Sequence, residues 1–136
     1  MQLDASEVID RPPAAVFRFY AVNHVQNHPR WDPDMVLEQL TEGPIGVGTV
    51  IRRHTHYGEP IEGTMEVIEY EPDRAVIHDG PVEIYGRMRI EPCGESGTRL
   101  TIGIEIPGSS NPINPALLER TLHNIKALIE SEPKGS

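Results

Sequence analysis

Four side chains in the middle of this chain are of types that move protons or hold anions: Arg52, His54, His56 and His78. Imidazole titrates close to neutrality, so a histidine in a partly apolar cavity can give or take a proton at operating pH. A guanidinium can stabilise an enolate or carboxylate developing on a bound carbonyl compound. Together they would suit aldol cyclisation, dehydration or enol–keto proton transfer. His54 and His56 form an H-x-H, which on one strand face sets them about 7 Å apart. With His78 they also make three imidazoles, a number that zinc accepts. Strand pairing puts His78 nearer Val67 and Val50 than His54, however, and no carboxylate is placed to orient the rings. No metal or cofactor is therefore expected. The plain alternative is that the histidines satisfy each other, the backbone or water at a sheet rim, while Arg52 extends outward to solvent.

The elements that position these residues are strands. Segments 49–57, 61–70, 74–79, 82–91 and 98–106 read as consecutive strands, separated by Gly58-Glu59-Pro60, Glu71-Pro72-Asp73, Gly80-Pro81 and Gly94-Glu95-Ser96-Gly97. In the last strand Leu100, Ile102, Ile104 and Ile106 alternate with Thr101, Gly103 and Glu105, so the isoleucine face looks inward. Folding back through the 94–97 turn brings Ile84, Gly86, Met88 and Ile90 to that face. A hairpin at Gly58-Glu59 pairs His56 with Ile61, His54 with Gly63, Arg52 with Met65, and Val50 with Val67. Across the next turn His78 comes near Val67 and Val76 near Glu69. Ile61, Gly63, Met65 and Val67 resemble the inward set, which places Val50, Arg52, His54, His56, Val76 and His78 inside too. One bulge would exchange these faces. Gly63 and Gly86 would leave room on the inner face, Gly63 directly opposite His54, or let the sheet curl.

A helix over 115–130 closes the chain, announced by Asn114 as N-cap and Pro115 at the first helical position. Leu117, Leu118, Leu122, Ile125, Leu128 and Ile129 share one arc at 100° per residue, with Glu119, His123, Lys126 and Glu130 opposite. The sheet is the only large partner for that arc. The architecture expected is α+β, a curved antiparallel sheet wrapped around a C-terminal helix. Its cavity would be lined by Val50, Gly63, Met65, Val67, Val76, Ile84, Gly86, Met88, Ile102, Ile104, Leu118, Leu122 and Ile125. Upstream, 3–10 reads as a strand and 14–22 as a short helix burying Val16, Phe17 and Tyr20. Segment 23–34 is an irregular connection or second short helix, with His24 and His28 at the surface and Trp31 plugging the core. Segment 35–41 is a strand. Glu7 shares the parity of Ile9 and so faces the cavity side.

Composition narrows the function classes. Lys+Arg 12 against Asp+Glu 21 gives a net charge of −9, which disfavours nucleic acid and electrostatic docking to anionic membranes. The one cysteine, Cys93, excludes an internal disulfide and a Cys-based zinc site, and reads as an inert turn thiol. The first residues lack the character of a signal peptide and no apolar run reaches membrane-spanning length, so stable membrane insertion is not expected and a cytoplasmic location is. One domain over 1–132 with a frayed 133–136 tail is expected, as a monomer or homodimer.

Five short motifs carry a resemblance. Ile9-Asp10-Arg11-Pro12-Pro13-Ala14-Ala15-Val16-Phe17 resembles the opening of the START-like, polyketide cyclase/dehydrase (SRPBCC) superfamily. Trp31-Asp32-Pro33-Asp34-Met35-Val36, Gly43-Pro44-Ile45-Gly46-Val47-Gly48-Thr49, Glu69-Tyr70-Glu71-Pro72-Asp73-Arg74 and Gly97-Thr98-Arg99-Leu100-Thr101 are similar to its later segments, in the same order. The resemblance implies the helix-grip fold: a seven-stranded antiparallel sheet, two short helices after the first strand, and a long C-terminal helix over a hydrophobic cavity. It also implies a hydrophobic or aromatic small-molecule ligand, polyketide-, lipid- or terpenoid-like, carried or chemically transformed. A carrier or sensor is the non-catalytic alternative, and a protein-interaction or co-chaperone module is a third. Because the fold hosts all three, no catalytic residue follows from the resemblance.

Overall fold

Period-two alternation in the last two strands sets which side of the sheet is buried. In the computed structural model, which describes residues 2–32, 35–55, 61–79, 84–106 and 115–132, the chain runs β1 (Gln2–Ile9), α1 (Pro13–Phe17) continuing into a π-helical turn (Arg18–Val22), α2 (His24–Trp31), β2 (Met35–Gln39), β3 (Val50–Thr55), β4 (Ile61–Glu71), β5 (Arg74–Asp79), β6 (Ile84–Cys93), β7 (Gly97–Glu105) and α3 (Pro115–Ser131). The seven strands form one antiparallel sheet in the order β1-β7-β6-β5-β4-β3-β2. The chain thus leaves β1 at one edge and re-enters at β2 on the other, so α1 and α2 must carry it across. This is the expected seven-stranded helix-grip architecture, with segment 24–31 resolved as a helix.

The inner face of β6 and β7 is the expected one. Leu100 stands between Glu7 and Ile90, and Ile102 between Ala5 and Met88. Onto these pack Leu118, Leu122, Ile125 and Ile129 of α3, with Ile9, Val16, Phe19 and Trp31 in the same cluster. Each such aliphatic side chain stabilises the fold by about 1.5–3 kcal/mol when fully buried. The C-terminal end of α3 is tied down by Arg11, whose guanidinium donates to the Glu130 carbonyl at 2.5 Å and the Glu132 carbonyl at 2.9 Å. Those are carbonyls a helix end leaves without internal partners. The Asp10 N–H donates to the Glu130 carboxylate, which together with Lys126 holds that carboxyl below the usual carboxylate range. Among the described residues no helix is long and apolar enough to cross a membrane.

Two registers differ from the sequence reading, and both exchange faces. Between β3 and β4 the pairs are Thr55 with Ile61, Arg53 with Gly63 and Ile51 with Met65, one residue away from the expected alignment. Val50, Arg52 and His54 therefore lie on the outer face, and Ile51 and Arg53 on the inner. Between β4 and β5, Val67 pairs with Ile77 while Glu69 pairs with Val76, a bulge that leaves Ile68 without an opposite residue. The extra residue moves Val76 and His78 to the outer face as well. His56 lies outside the described residues, as does the 133–136 tail.

The packing contrast along α3 is testable. Leu122 is 1% exposed and Leu117 is 54% exposed. Leu122→Ala should lower the urea unfolding free energy by about 2–5 kcal/mol, whereas Leu117→Ala should stay within about 0.5 kcal/mol.

Candidate functional site

The register of β3 brings Arg53, not Arg52, to the interior. Arg53 stands between Leu37 on β2 and Gly63 on β4, while Asp79 stands between Met65 on β4 and Ile84 on β6. The two are separated by β4, and the guanidinium reaches over it: Arg53 Nε donates to Asp79 Oδ2. On β4, Gly63 stands opposite Arg53 and Met65 opposite Asp79. The glycine gap predicted opposite His54 is thus opposite Arg53.

Both side chains are buried, at 7% and 9% exposure, and their walls are apolar. Leu37, Ile51 and Met65 form the local cluster, with Val25, Met35 and Ile77 packed against it. The pair is only half satisfied. Asp79 Oδ1 is buried without a hydrogen-bond partner. Among the described residues Arg53 makes no hydrogen bond other than the one to Asp79, so its two terminal NH2 groups have none. The site therefore presents free donors beside a free acceptor.

An apolar strip leads from this pair toward the α3 cluster. Ile84 lies opposite Asp79, Gly86 opposite Ile77, and Ile104 opposite Gly86, all on the inner face and all only half-buried. The space over Gly86 is not open, since a Cβ there would meet Ile77 Cγ1 at 3.1 Å. Met65, Val67, Met88, Ile102, Leu118, Leu122 and Ile125 are buried on the inner side. Glu7 lies there too, opposite Leu100. A separate cleft of about 600 Å³ opens between Phe17, Arg18 and Val22 on one side and Tyr70, Glu71 and Pro72 on the other, away from Arg53.

Of the expected catalytic residues, Arg52, His54 and His78 lie on the outer face. Arg52 is exposed and paired with Glu38 at 2.5 Å. His78 stacks on Tyr85 on the outer face, with ring centroids 4.6 Å apart. His54 shares that face, opposite Val36. Among the described residues no three His, Cys, Asp or Glu side chains are grouped so as to hold a metal ion.

A second polar line went unread in the sequence because 23–34 was not committed to helix. Once α2 forms, His24 and His28 at i and i+4 share a face, and Trp31 joins them. Trp31 is buried as expected and stacks on Tyr20 at 5.4 Å. His24 is buried rather than at the surface. Its Nδ1 lies 2.8 Å from the Tyr20 carbonyl and so carries the proton, leaving Nε2 to accept from His28 Nδ1 at 2.9 Å. Burial, reinforced by the charge of His28, lowers its pKa to about 3. Burial likewise pushes the Tyr20 phenol up to about 12.

Comparison with known proteins agrees with this fold. The family model described as "Polyketide cyclase / dehydrase and lipid transport" matches residues 1–130. No curated protein matches the sequence. Among solved structures, a protein of Chromobacterium violaceum is similar with a TM-score of 0.76 at 18% identity, covering 97% of this chain and 99% of that one. The Zhui aromatase/cyclase from Streptomyces sp. R1128 gives 0.73 at 18% identity, covering 96% and 93%. Norcoclaurine synthase from Thalictrum flavum, solved with dopamine and hydroxybenzaldehyde, gives 0.71 at 15% identity, covering 98% and 89%.

Two measurements follow from the site. Arg53→Leu should destabilise the fold by about 3–5 kcal/mol by stranding Asp79, whereas Arg53→Met with Asp79→Leu should recover most of that loss in urea unfolding. His24 gives a pH signature. It stays neutral when folded but titrates near its ordinary value, about 6.5, when unfolded, so the unfolded chain binds the proton better between those values. Its contribution is complete above about pH 6.5 and is lost as pH falls toward 3, at up to about 1.4 kcal/mol per pH unit. His24→Gln should flatten that part of the stability–pH curve; an unchanged slope would contradict the assignment.

Proposed function

From the premise that the chain belongs to the polyketide cyclase / dehydrase and lipid transport family, we propose that it binds a hydrophobic small molecule between the sheet and α3, with an oxygen of that molecule held at Arg53. The observation that carries this reading is the half-satisfied Arg53–Asp79 pair in an apolar wall. A few converging polar groups in an apolar enclosure are the usual make-up of a small-molecule site. The half-buried strip of Ile77, Ile84, Gly86 and Ile104 supports it as the surface against which an apolar skeleton rests. A polyketide-, terpenoid- or lipid-like skeleton fits that surface.

Carriage or sensing is the reading supported best. Arg52, His54 and His78, the residues that would have shuttled protons, stand on the outer face. Arg53 favours a second reading. A guanidinium that engages only Asp79 among the described residues is suited to stabilising an enolate on a bound carbonyl compound. The protein would then assist cyclisation or dehydration of what it holds.

The test uses a neutral fluorescent aromatic, N-phenyl-1-naphthylamine. It should bind with enhanced fluorescence and raise the melting temperature. Ile84→Trp, which fills the strip, should weaken binding at least about tenfold, while His54→Ala and His78→Ala leave it unchanged. Undiminished binding to Ile84→Trp would place the ligand elsewhere.

A further inference from the structure

We infer that Asp79 Oδ1 selects the ligand: the site takes a neutral molecule that offers a hydroxyl hydrogen, phenolic or enolic, and turns away carboxylates. This rests on the pocket reading above and specifies which polar end the pocket accepts.

The argument begins with the unpartnered atom. Asp79 has one carboxylate oxygen bonded to Arg53 Nε and the other buried with no donor. A buried acceptor without a donor costs about 1–3 kcal/mol, more when charged, and nearly all such groups in folded proteins find a partner. The missing partner must be a donor, because an ionised carboxylate only accepts. Asp79 shares the inner face with Ile84 and Met65, so a donor must arrive from the interior, on something small enough to enter it.

Arg53 supplies the opposite half. Among the described residues its two NH2 groups have no hydrogen-bond partner, and they belong to the same guanidinium that holds Asp79. A hydroxyl engages both sides at once, giving its hydrogen to Asp79 Oδ1 and accepting at oxygen from the guanidinium. An ether or ketone can use only the Arg53 side and leaves Oδ1 stranded. A carboxylate can also use Arg53, but its charge would then sit beside that of Asp79 in an apolar wall where screening is weak. Arg53 is already partly neutralised by Asp79, so it does not offer a full positive charge to an incoming anion. Fatty-acid-like anions are therefore disfavoured here, and hydroxylated ring or enol compounds are favoured. Discrimination built on buried hydrogen-bonding groups is steep, because the wrong ligand leaves them unpaired.

The experiment compares three probes on one bicyclic skeleton by calorimetric titration: 2-naphthol, 2-methoxynaphthalene and 2-naphthoate. The native protein should bind 2-naphthol at least about tenfold more tightly than the methoxy compound, with naphthoate weakest. Asp79→Asn should shrink the naphthol preference and improve naphthoate binding. Should that variant fold poorly, Arg53→Met with Asp79→Leu keeps the test open. It should no longer favour naphthol over 2-methoxynaphthalene. Equal affinity for all three probes, or a naphthol preference that survives in both variants, overturns the role of Asp79 and leaves the pocket reading standing. If none of the three binds, the pocket reading falls and this inference falls with it.

Discussion

The apolar stripe of α3 has to be covered, and only one surface of the molecule is wide enough to cover it. Leu118, Leu122, Ile125 and Ile129 settle on the inner face of β1, β6 and β7, while α2 packs over β2 at the other end of the sheet. Because the strand order runs from β1 at one edge to β2 at the other, these two helices divide the inner face between them. What neither covers completely is the strip of Ile77, Ile84, Gly86 and Ile104 on the central strands. The site is therefore a consequence of how the helix stripe is buried. Arg11 contributes by fixing one end of α3 through the carbonyls of Glu130 and Glu132, so that the helix meets the sheet in one register.

Against that background the Arg53–Asp79 pair is hard to explain by stability. Withdrawing two charges from water costs several kcal/mol each, and apolar residues of similar volume often serve a fold as well or better. A structural ion pair offsets its desolvation by satisfying every polar atom. This one leaves Oδ1 buried without a hydrogen-bond partner. The surface pairs Arg52–Glu38 and Arg74–Glu69 are of the opposite kind, exposed and so worth little. Polar groups held in an apolar wall and left unfinished are most economically read as completed by something that comes and goes.

Most of the fold was legible because the signals were redundant. In β7 the run Leu100, Ile102, Ile104 has one apolar parity, and Gly94-Glu95-Ser96-Gly97 gives an unambiguous turn, so β6 inherits the face. Strand β3 offers no such redundancy. Val50 and Ile51 are both apolar and Arg52 and Arg53 are identical, so its sequence reads equally well with either parity inward. The decision passed entirely to the length of the hairpin loop, and a one-residue difference exchanged Arg52 for Arg53. His78 was displaced by a different cause, the bulge at Ile68, which no turn residue announces. One signal did favour the right answer. Asp79 ends β5 with the parity of Ala75 and Ile77, so an acid on the apolar side of a strand asks for a basic partner inside.

The outward histidines then take on a different meaning. His78, stacked on Tyr85, and His54, opposite Val36, sit on the face of the sheet opposite Arg53 and Asp79. The one buried imidazole on α2, His24, has both ring nitrogens committed to Tyr20 and His28. On the proposed reading, an incomplete donor–acceptor pair in a largely apolar wall acts chiefly by choosing what it encloses. The apolar surface would then set the size and shape of the guest, and the pair the chemistry of its polar end. That division would allow a common scaffold to accept different guests by changing two residues on β3 and β5 while the burial of α3, and hence the fold, stays as it is.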